Sequence, residues 1–329
     1  MANANLIVKK IKHGGVKSLV KKAFELKIKV GFFYENPTLL KLEYKNKTVF
    51  IKRGSAPLAR RMGDMTKNKN LTKMILGEMK IKTPKGIVGS SFKEASGLIK
   101  KNKLSYPLIV KPIDDSLARG VTWDIRSKEE LKKAVDLLRK IKSFQKSNKF
   151  LVEEMFRGDE FRFLIFGGKI VSCVKKVPAS VIGDGKSTIK ELSDKFNKRR
   201  MKGFEIKIDK IVRATLDKNK LTLNSVLSKN YCLKLRNNLN MSDGGRSINV
   251  THKFNERFKN ICEQAAEAVG LTYGGIDLLT KDITAQDSKY VILEINPNPY
   301  YNMHEKPLVE GKGIDVSSKI LKHLFPDLK

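Results

Sequence analysis

Between Phe150 and Val177 the chain reads as three strands in succession, KFLVEEMF, EFRFLIFGG and KIVSCVKKV, with Gly167-Gly168 where a hairpin turn would fall. That run commits the middle of the chain to a sheet, and helical spacing on either side of it makes the class mixed α/β. Ser127 with Glu130 three residues on supplies a helix start, and LKKAVDLLRKI continues it. Residues 255–269 (NERFKNICEQAAEAV) are amphipathic and are closed by Gly270, after which GGIDLLT and KYVILEINPNP read as strands and SSKILKHLF as a terminal helix. Upstream, residues 17–30 suggest a helix running into a strand, and KLEYKNKTVFIKRG a hairpin about Asn46-Lys47. LTKMILGEMKI is helical until Thr83-Pro84 stops it, and YPLIVKP reads as a buried strand. A further helix is expected from Thr188 to Lys198, whereas no clear period emerges from there to Lys234. The domain expectation is a small N-terminal α/β unit over 1–65 and a main domain over 66–329, with lobes at 66–152 and 153–329.

Composition narrows the function classes. The 329 residues exceed the usual single compact domain, and 40% apolar content is far from that of a disordered chain. The formal charge of +33 would attract nucleic acid, anionic membrane or acidic substrates. Its lysines are scattered without an aromatic-spaced array for base stacking, and a solvated Lys-rich surface accounts for them equally well. Three cysteines, Cys173, Cys232 and Cys262, are too far apart for a CxxC site and odd in number, which fits a reducing compartment. The N-terminal apolar stretch is short for a signal peptide, and the apolar region from Phe161 to Val174 is broken by Arg162 and Lys169. A cytoplasmic protein with no membrane partner is expected.

Glu294 and Asn296 are two apart in VILEIN, so a strand puts both on one face, and a neighbouring strand could bring Asp277 beside them. Three hard oxygen donors suit magnesium held together with nucleotide phosphates, while ordinary strand-end polar residues would look the same. The four histidines, His13, His252, His304 and His323, have no metal spacing. GDGKST at 183–188 is not a P-loop, because Ser180 stands where the pattern needs glycine; a tight turn before the helix at Thr188 is expected instead.

The sequence EINPNP with His304, Pro307 and Gly311 resembles the C-terminal signature of the ATP-grasp ligases. Further segments follow in family order: NKNLTKMIL and IKTP within 68–84, IVKP at 109–112, LVEEMFRGDEFRFLI at 151–165, VPASVIGDGKSTIKEL at 177–192 and LRNNLNMSDGG at 235–245. The likeness is to the ATP-grasp modules of cyanophycin synthetase and of the bifunctional glutathione synthetases, and it covers about 66–329. It implies the ATP-grasp fold, two α+β lobes clamping ATP. It further implies that Lys69 and Lys111 contact ATP phosphates and that Ser116, Arg119 and Gly120 lie in the phosphate-covering loop; Asp114 and Asp115 depart from a glycine-rich loop and are expected to turn outward, since inward they would repel ATP. Glu153 would occupy the adenine-hinge position, Phe156 would give a backbone contact and an apolar wall, and Glu160 would hold the ribose. Asp277, Glu294 and Asn296 would bind Mg2+, with Mn2+ as a substitute. Arg236, and Lys176 in place of a family Arg, would face the transferred phosphoryl group and the acyl intermediate, and the Arg fork is the better suited of the two.

The activity so implied is ADP-forming carboxylate–amine ligation through an acyl phosphate, on an amino acid or short peptide. An acidic substrate or carrier is a further expected partner, in view of the charge. The alternative is a basic nucleic-acid- or partner-binding protein with a non-catalytic ATP-grasp fold, although nucleic acid is not the expected partner. Tyr300, where many relatives have a small residue, and Tyr301 would either narrow the acceptor side or serve packing.

Overall fold

The computed structural model describes residues 14–32, 39–45, 47–52, 66, 69–113, 120–141, 144, 148–305 and 309–328. Helix α1 (Gly14–Glu25) buries Val16, Leu19, Val20 and Ala23, the single apolar stripe that its spacing predicts. Strands β1 (Lys29–Phe32), β2 (Leu39–Tyr44) and β3 (Lys47–Lys52) form an antiparallel sheet in that order. Tyr44 pairs with Lys47, so the hairpin turns one residue earlier than expected, with Lys45 at a left-handed φ of 49°.

Helix α2 (Lys69–Glu78) starts two residues before the apolar pattern and so carries Lys69 in its first turn. It is followed by β4 (Gly86–Gly89), α3 (Phe92–Lys101), β5 (Leu108–Pro112), β6 (Thr122–Ile125), α4 (Lys128–Leu138) and β7 (Phe150–Glu154). The four strands form an antiparallel sheet in the order β4-β7-β5-β6. Ile99, Leu131, Val135 and Leu138 from α3 and α4 pack on Leu108, Val110, Phe150 and Val152 to make its core. Ser127 caps α4 as expected by accepting from the Glu130 N–H, but the Glu130 carboxylate reaches back to the Arg126 N–H, one residue before the capping-box donor.

Strand β8 (Asp159–Phe166) turns into β9 (Lys169–Val177) through Gly167 and Gly168, whose φ of 61° and 76° only glycine adopts readily in succession. Next come β10 (Ser180–Ile182), α5 (Ile189–Asn197), α6 (Lys210–Lys218) and β11 (Cys232–Lys234). Thr188 and Glu191 form a full capping box on α5, and Asp184 accepts from the N–H groups of Lys186 and Ser187, which makes GDGKST the tight turn expected of it. Helix α6 and β11 fall in the stretch where the sequence shows no period. They are 9 and 3 residues long, and Val212, Leu216 and Leu233 gain their burial only by packing with Ala179, Val181 and Ile189.

The chain ends with β12 (Arg246–Asn249), α7 (Glu256–Ala268), β13 (Tyr273–Thr280), β14 (Tyr290–Asn296), β15 (Val309–Glu310) and α8 (Val316–Leu324). Strand β13 runs antiparallel between β8 and β14, and α7 packs on β8 and β13; β12 pairs antiparallel with β9 and parallel with β15. Two compact units interleave along the chain: residues 1–60, 171–251 and 298–329 form one, and 61–170 with 252–297 form the other. In the first, α1 is fastened to the C-terminal segment, where the Tyr301 hydroxyl donates to Gly15 O at 2.7 Å. No helix among the described residues is long and apolar enough to cross a membrane.

Candidate active site

Strand β7 is the sheet interior between β4 and β5, and it places Glu153 opposite Gly86 on one side and Ile109 on the other. The side chain is only 3% exposed, and its carboxylate is doubly paired: Oε1 accepts from Lys73 Nζ at 2.6 Å and Oε2 from Lys111 Nζ at 2.5 Å. Glycine at 86 is needed here, because a Cβ would come within 2.7 Å of Glu153 Cγ and 2.6 Å of Val152 O. Burial pushes the Glu153 carboxyl upward, but the two ammonium groups outweigh it and hold the acid below its ordinary range. For Lys73 the balance falls the other way: burial lowers the ammonium below its usual value even though Glu153 favours the charge.

Lys73 was not among the residues singled out from the sequence. It lies one helical turn after Lys69 on α2, so the spacing of the two was the available signal. Lys69 and Lys73 line a narrow cleft together with Thr72, Glu294 and Ile295. Glu153, expected at an adenine hinge, directs its carboxylate to the two lysines. Phe156 and Glu160 are half-buried just beyond β7 and on β8. Gly120 is half-buried with a left-handed φ of 69°. Ser116 and Arg119, like Asp114 and Asp115, lie outside the described residues.

The second cluster runs across three neighbouring strands. Asp277 on β13 is the cross-strand partner of Arg162 on β8 and of Glu294 on β14. Arg162 grips Asp277 with a fork, Nε to Oδ1 and Nη2 to Oδ2, the latter at 2.6 Å, and Nη2 lies 3.9 Å from Glu294 Oε1. Asn296 Nδ2 donates to Glu294 Oε1 at 2.9 Å, so the two-residue spacing does put the amide beside the carboxylate. Burial works against the Arg162 charge, yet Asp277 more than compensates and raises its already high pKa. Arg162 was visible in the sequence only as a charge interrupting the apolar run of β8.

Among the described residues no three His, Cys, Asp or Glu side chains converge, so a metal here would depend on two carboxylates and one amide. That set fits a hard divalent cation: all donors are oxygens, and two carboxylates beside one guanidinium leave a net charge of −1.

Arg236 and Lys176 belong to the first compact unit. Lys176 is half-buried on β9 opposite Ser247. Arg236 is 3% exposed, and its Nη2 donates to Asp209 Oδ2 at 2.5 Å and to Lys207 O at 3.2 Å, while Nε has no partner among the described residues. Asp209 also caps α6, so one carboxylate fixes both the helix start and the arginine.

Residues 104–169 match the model of the ATP-grasp domain. Cyanophycin synthetase from Crocosphaera subtropica is 36% identical over 268 residues, covering 79% of this chain and 30% of its own. A glutathione biosynthesis bifunctional protein from Streptococcus agalactiae is 30% identical over 315 residues, covering 89% of this chain and 40% of its own. The chain thus spans 30% to 40% of the length of these curated relatives. Among solved structures, a bifunctional glutathione synthetase from Pasteurella multocida superposes with a TM-score of 0.73 over 95% of this chain and 44% of its own, at 24% identity, which establishes the fold. The domain match over 104–169 and the shared fold together identify an ATP-grasp fold in this chain.

Proposed function

We propose that the chain is an ADP-forming carboxylate–amine ligase that works through an acyl phosphate, with residues 66–329 as the ligase portion and 1–65 as an accessory unit. The observation that carries this reading is the cleft in which Lys69 and Lys73 stand with Glu294, basic groups for phosphate beside an acidic edge for a cation. Support also comes from the relatives, named a cyanophycin synthetase and a glutathione biosynthesis bifunctional protein; they give none to a non-catalytic binding protein.

In this reading Lys69 and Lys111 hold phosphate oxygens, Glu160 holds the ribose, and Phe156 with the backbone after β7 flanks the base. Ser116, Arg119 and Gly120 belong to the loop over the phosphates. Asp277, Glu294 and Asn296 would hold Mg2+, or Mn2+ in its place, which supplies charge neutralisation at the phosphates when bound. Glu153 holds Lys73 and Lys111 aligned before nucleotide arrives. A substrate carboxylate oxygen attacks the terminal phosphorus in line, the bond to ADP breaks, and an acyl phosphate forms. An amine then attacks the acyl carbon, phosphate leaves, and the nitrogen loses a proton to give an amide. Arg236, with Lys176 as the weaker donor, is our proposed partner for the anionic oxygen of the tetrahedral species.

Substrates in this proposal are an amino acid or short peptide. The charge of +33 favours an acidic substrate or carrier, whose capture should slow as salt rises towards physiological strength. The test is ADP release across amino acids and dipeptides, with hydroxylamine as a surrogate amine to trap the acyl phosphate as a hydroxamate. A carboxylate that yields ADP and hydroxamate in equal amounts is expected. ATP binding with no hydroxamate from any carboxylate in the panel would overturn the reading.

A further inference from the structure

Within the unit formed by residues 1–60, 171–251 and 298–329, two arginines approach a single carboxylate. Arg246, the first residue of β12, donates from Nη1 to both oxygens of Glu310 at 3.2 and 3.4 Å and from Nη2 to Ser180 Oγ at 3.3 Å. These bonds are long for charge-assisted pairs, which usually close to about 2.7–2.9 Å. Its Nε is buried and donates to nothing among the described residues. Arg200 is anchored next to it, with Nη2 on Gly245 O at 2.5 Å, Nε on Phe204 O at 3.4 Å, and its guanidinium 5.1 Å from the centre of the Phe196 ring. Tyr300 stacks on Phe204 with ring centres 5.7 Å apart at 24°.

Among the described residues, two guanidinium groups and one carboxylate leave one positive charge without a counterion in a half-buried setting. The electrostatics agree: burial, together with the neighbouring Arg246, disfavours the charge of Arg200, and Glu310 only partly offsets this. The Arg246 and Glu310 side chains are 17% and 42% exposed, so a small ligand can reach the pair from solvent. A monoanion would complete the charge balance, and a planar one matches the fork of Arg246. We propose that Arg200 and Arg246 form a carboxylate-binding site, with the Tyr300–Phe204 stack beside it.

A carboxylate whose lone pairs are engaged by guanidinium groups is a poor nucleophile, so this site anchors a substrate through a carboxylate other than the one that is activated. That role rests on the ligase reading; the anion site does not.

The test uses the full chain without nucleotide and N-acetylglycine as the probe, with N-acetylglycinamide as its uncharged analogue and inorganic phosphate as a competing anion. Binding is read by ligand-observed NMR. N-Acetylglycine should saturate and the amide should not, and Arg246→Gln or Arg200→Gln should weaken binding by about tenfold or more, as for loss of a hydrogen-bonded charge. Glu310→Gln, which removes the internal competitor and spares both arginines, should tighten it, and this arm stands even if an arginine variant fails to fold. Binding that ignores the arginine substitutions, or fails to tighten in Glu310→Gln, overturns the site. Preference for phosphate with the same arginine dependence overturns its assignment to carboxylate. If hydroxamate formation fails while these results hold, the anion site stands and only its role in ligation falls.

Discussion

Replacing Glu153 by Gln should destabilise the protein severely and in a manner that pH and a second substitution can reverse. The carboxylate sits 3% exposed between Lys73 and Lys111, which are 15% and 14% exposed, so solvent screens little of the pairing. In the variant the amide oxygen can accept from one lysine, but its NH2 turns a donor towards the other. One bond between ionised groups, worth about 1.5–3 kcal/mol, is thereby replaced by a donor facing an ammonium, and the other is weakened to a neutral acceptor. Leaving buried charge without its partner typically costs about 3–5 kcal/mol, and that is the expected loss at pH 7 by urea unfolding followed by circular dichroism. Because burial already holds Lys73 below its ordinary value of 10.5, its charged form opposes folding at neutral pH, and this opposition fades as pH rises towards 10.5. Glu153→Gln should therefore recover part of its stability near pH 9–10. Adding Lys73→Met should also restore part of it at pH 7, since one uncompensated cation is then gone. Conversely, the depressed Glu153 carboxyl stabilises the wild type above the ordinary value of 4.5, and that contribution is lost as pH falls through the folded-state value; the variant should lack this acid-sensitive component. A loss under about 1 kcal/mol at pH 7, or no recovery in the double variant, would refute the reasoning.

Glu294→Gln keeps shape and one oxygen but removes a charge from the proposed cation site, so turnover should fall by at least about tenfold, about 1.4 kcal/mol of barrier, with a smaller change in nucleotide affinity; steady-state kinetics against Mg2+ concentration checks this. Glu305 is 6% exposed among Ser18 and Ser317, and burial raises its carboxyl above 4.5, so its stabilising contribution is complete below 4.5 and lost as pH rises through the folded-state value. Glu305→Gln should then melt at or above the wild-type temperature at pH 8 and lose that advantage at pH 4, as read by thermal denaturation at the two pH values.

What the sequence determined by itself was local. Period 2 marked β7, β8, β9, β13 and β14, period 3.6 marked α1, α2, α4, α5, α7 and α8, and two-residue spacing put Asn296 beside Glu294. Those patterns survive because a backbone with a fixed repeat exposes its side chains in a fixed order whatever it packs against. Helix α6 and β11 gave no such signal: β11 is three residues long, and α6 buries only Val212 and Leu216 within a lysine-rich stretch. Tertiary structure alone decided the partners of the charged groups. Lys73 meets Glu153 across 80 residues and Arg162 meets Asp277 across 115, and both encounters are set by strand and helix packing that no neighbouring residue encodes. A lysine or a carboxylate looks the same in sequence whether it faces water or a counter-charge; only burial, which makes an unpaired charge too costly to leave alone, selects the pair.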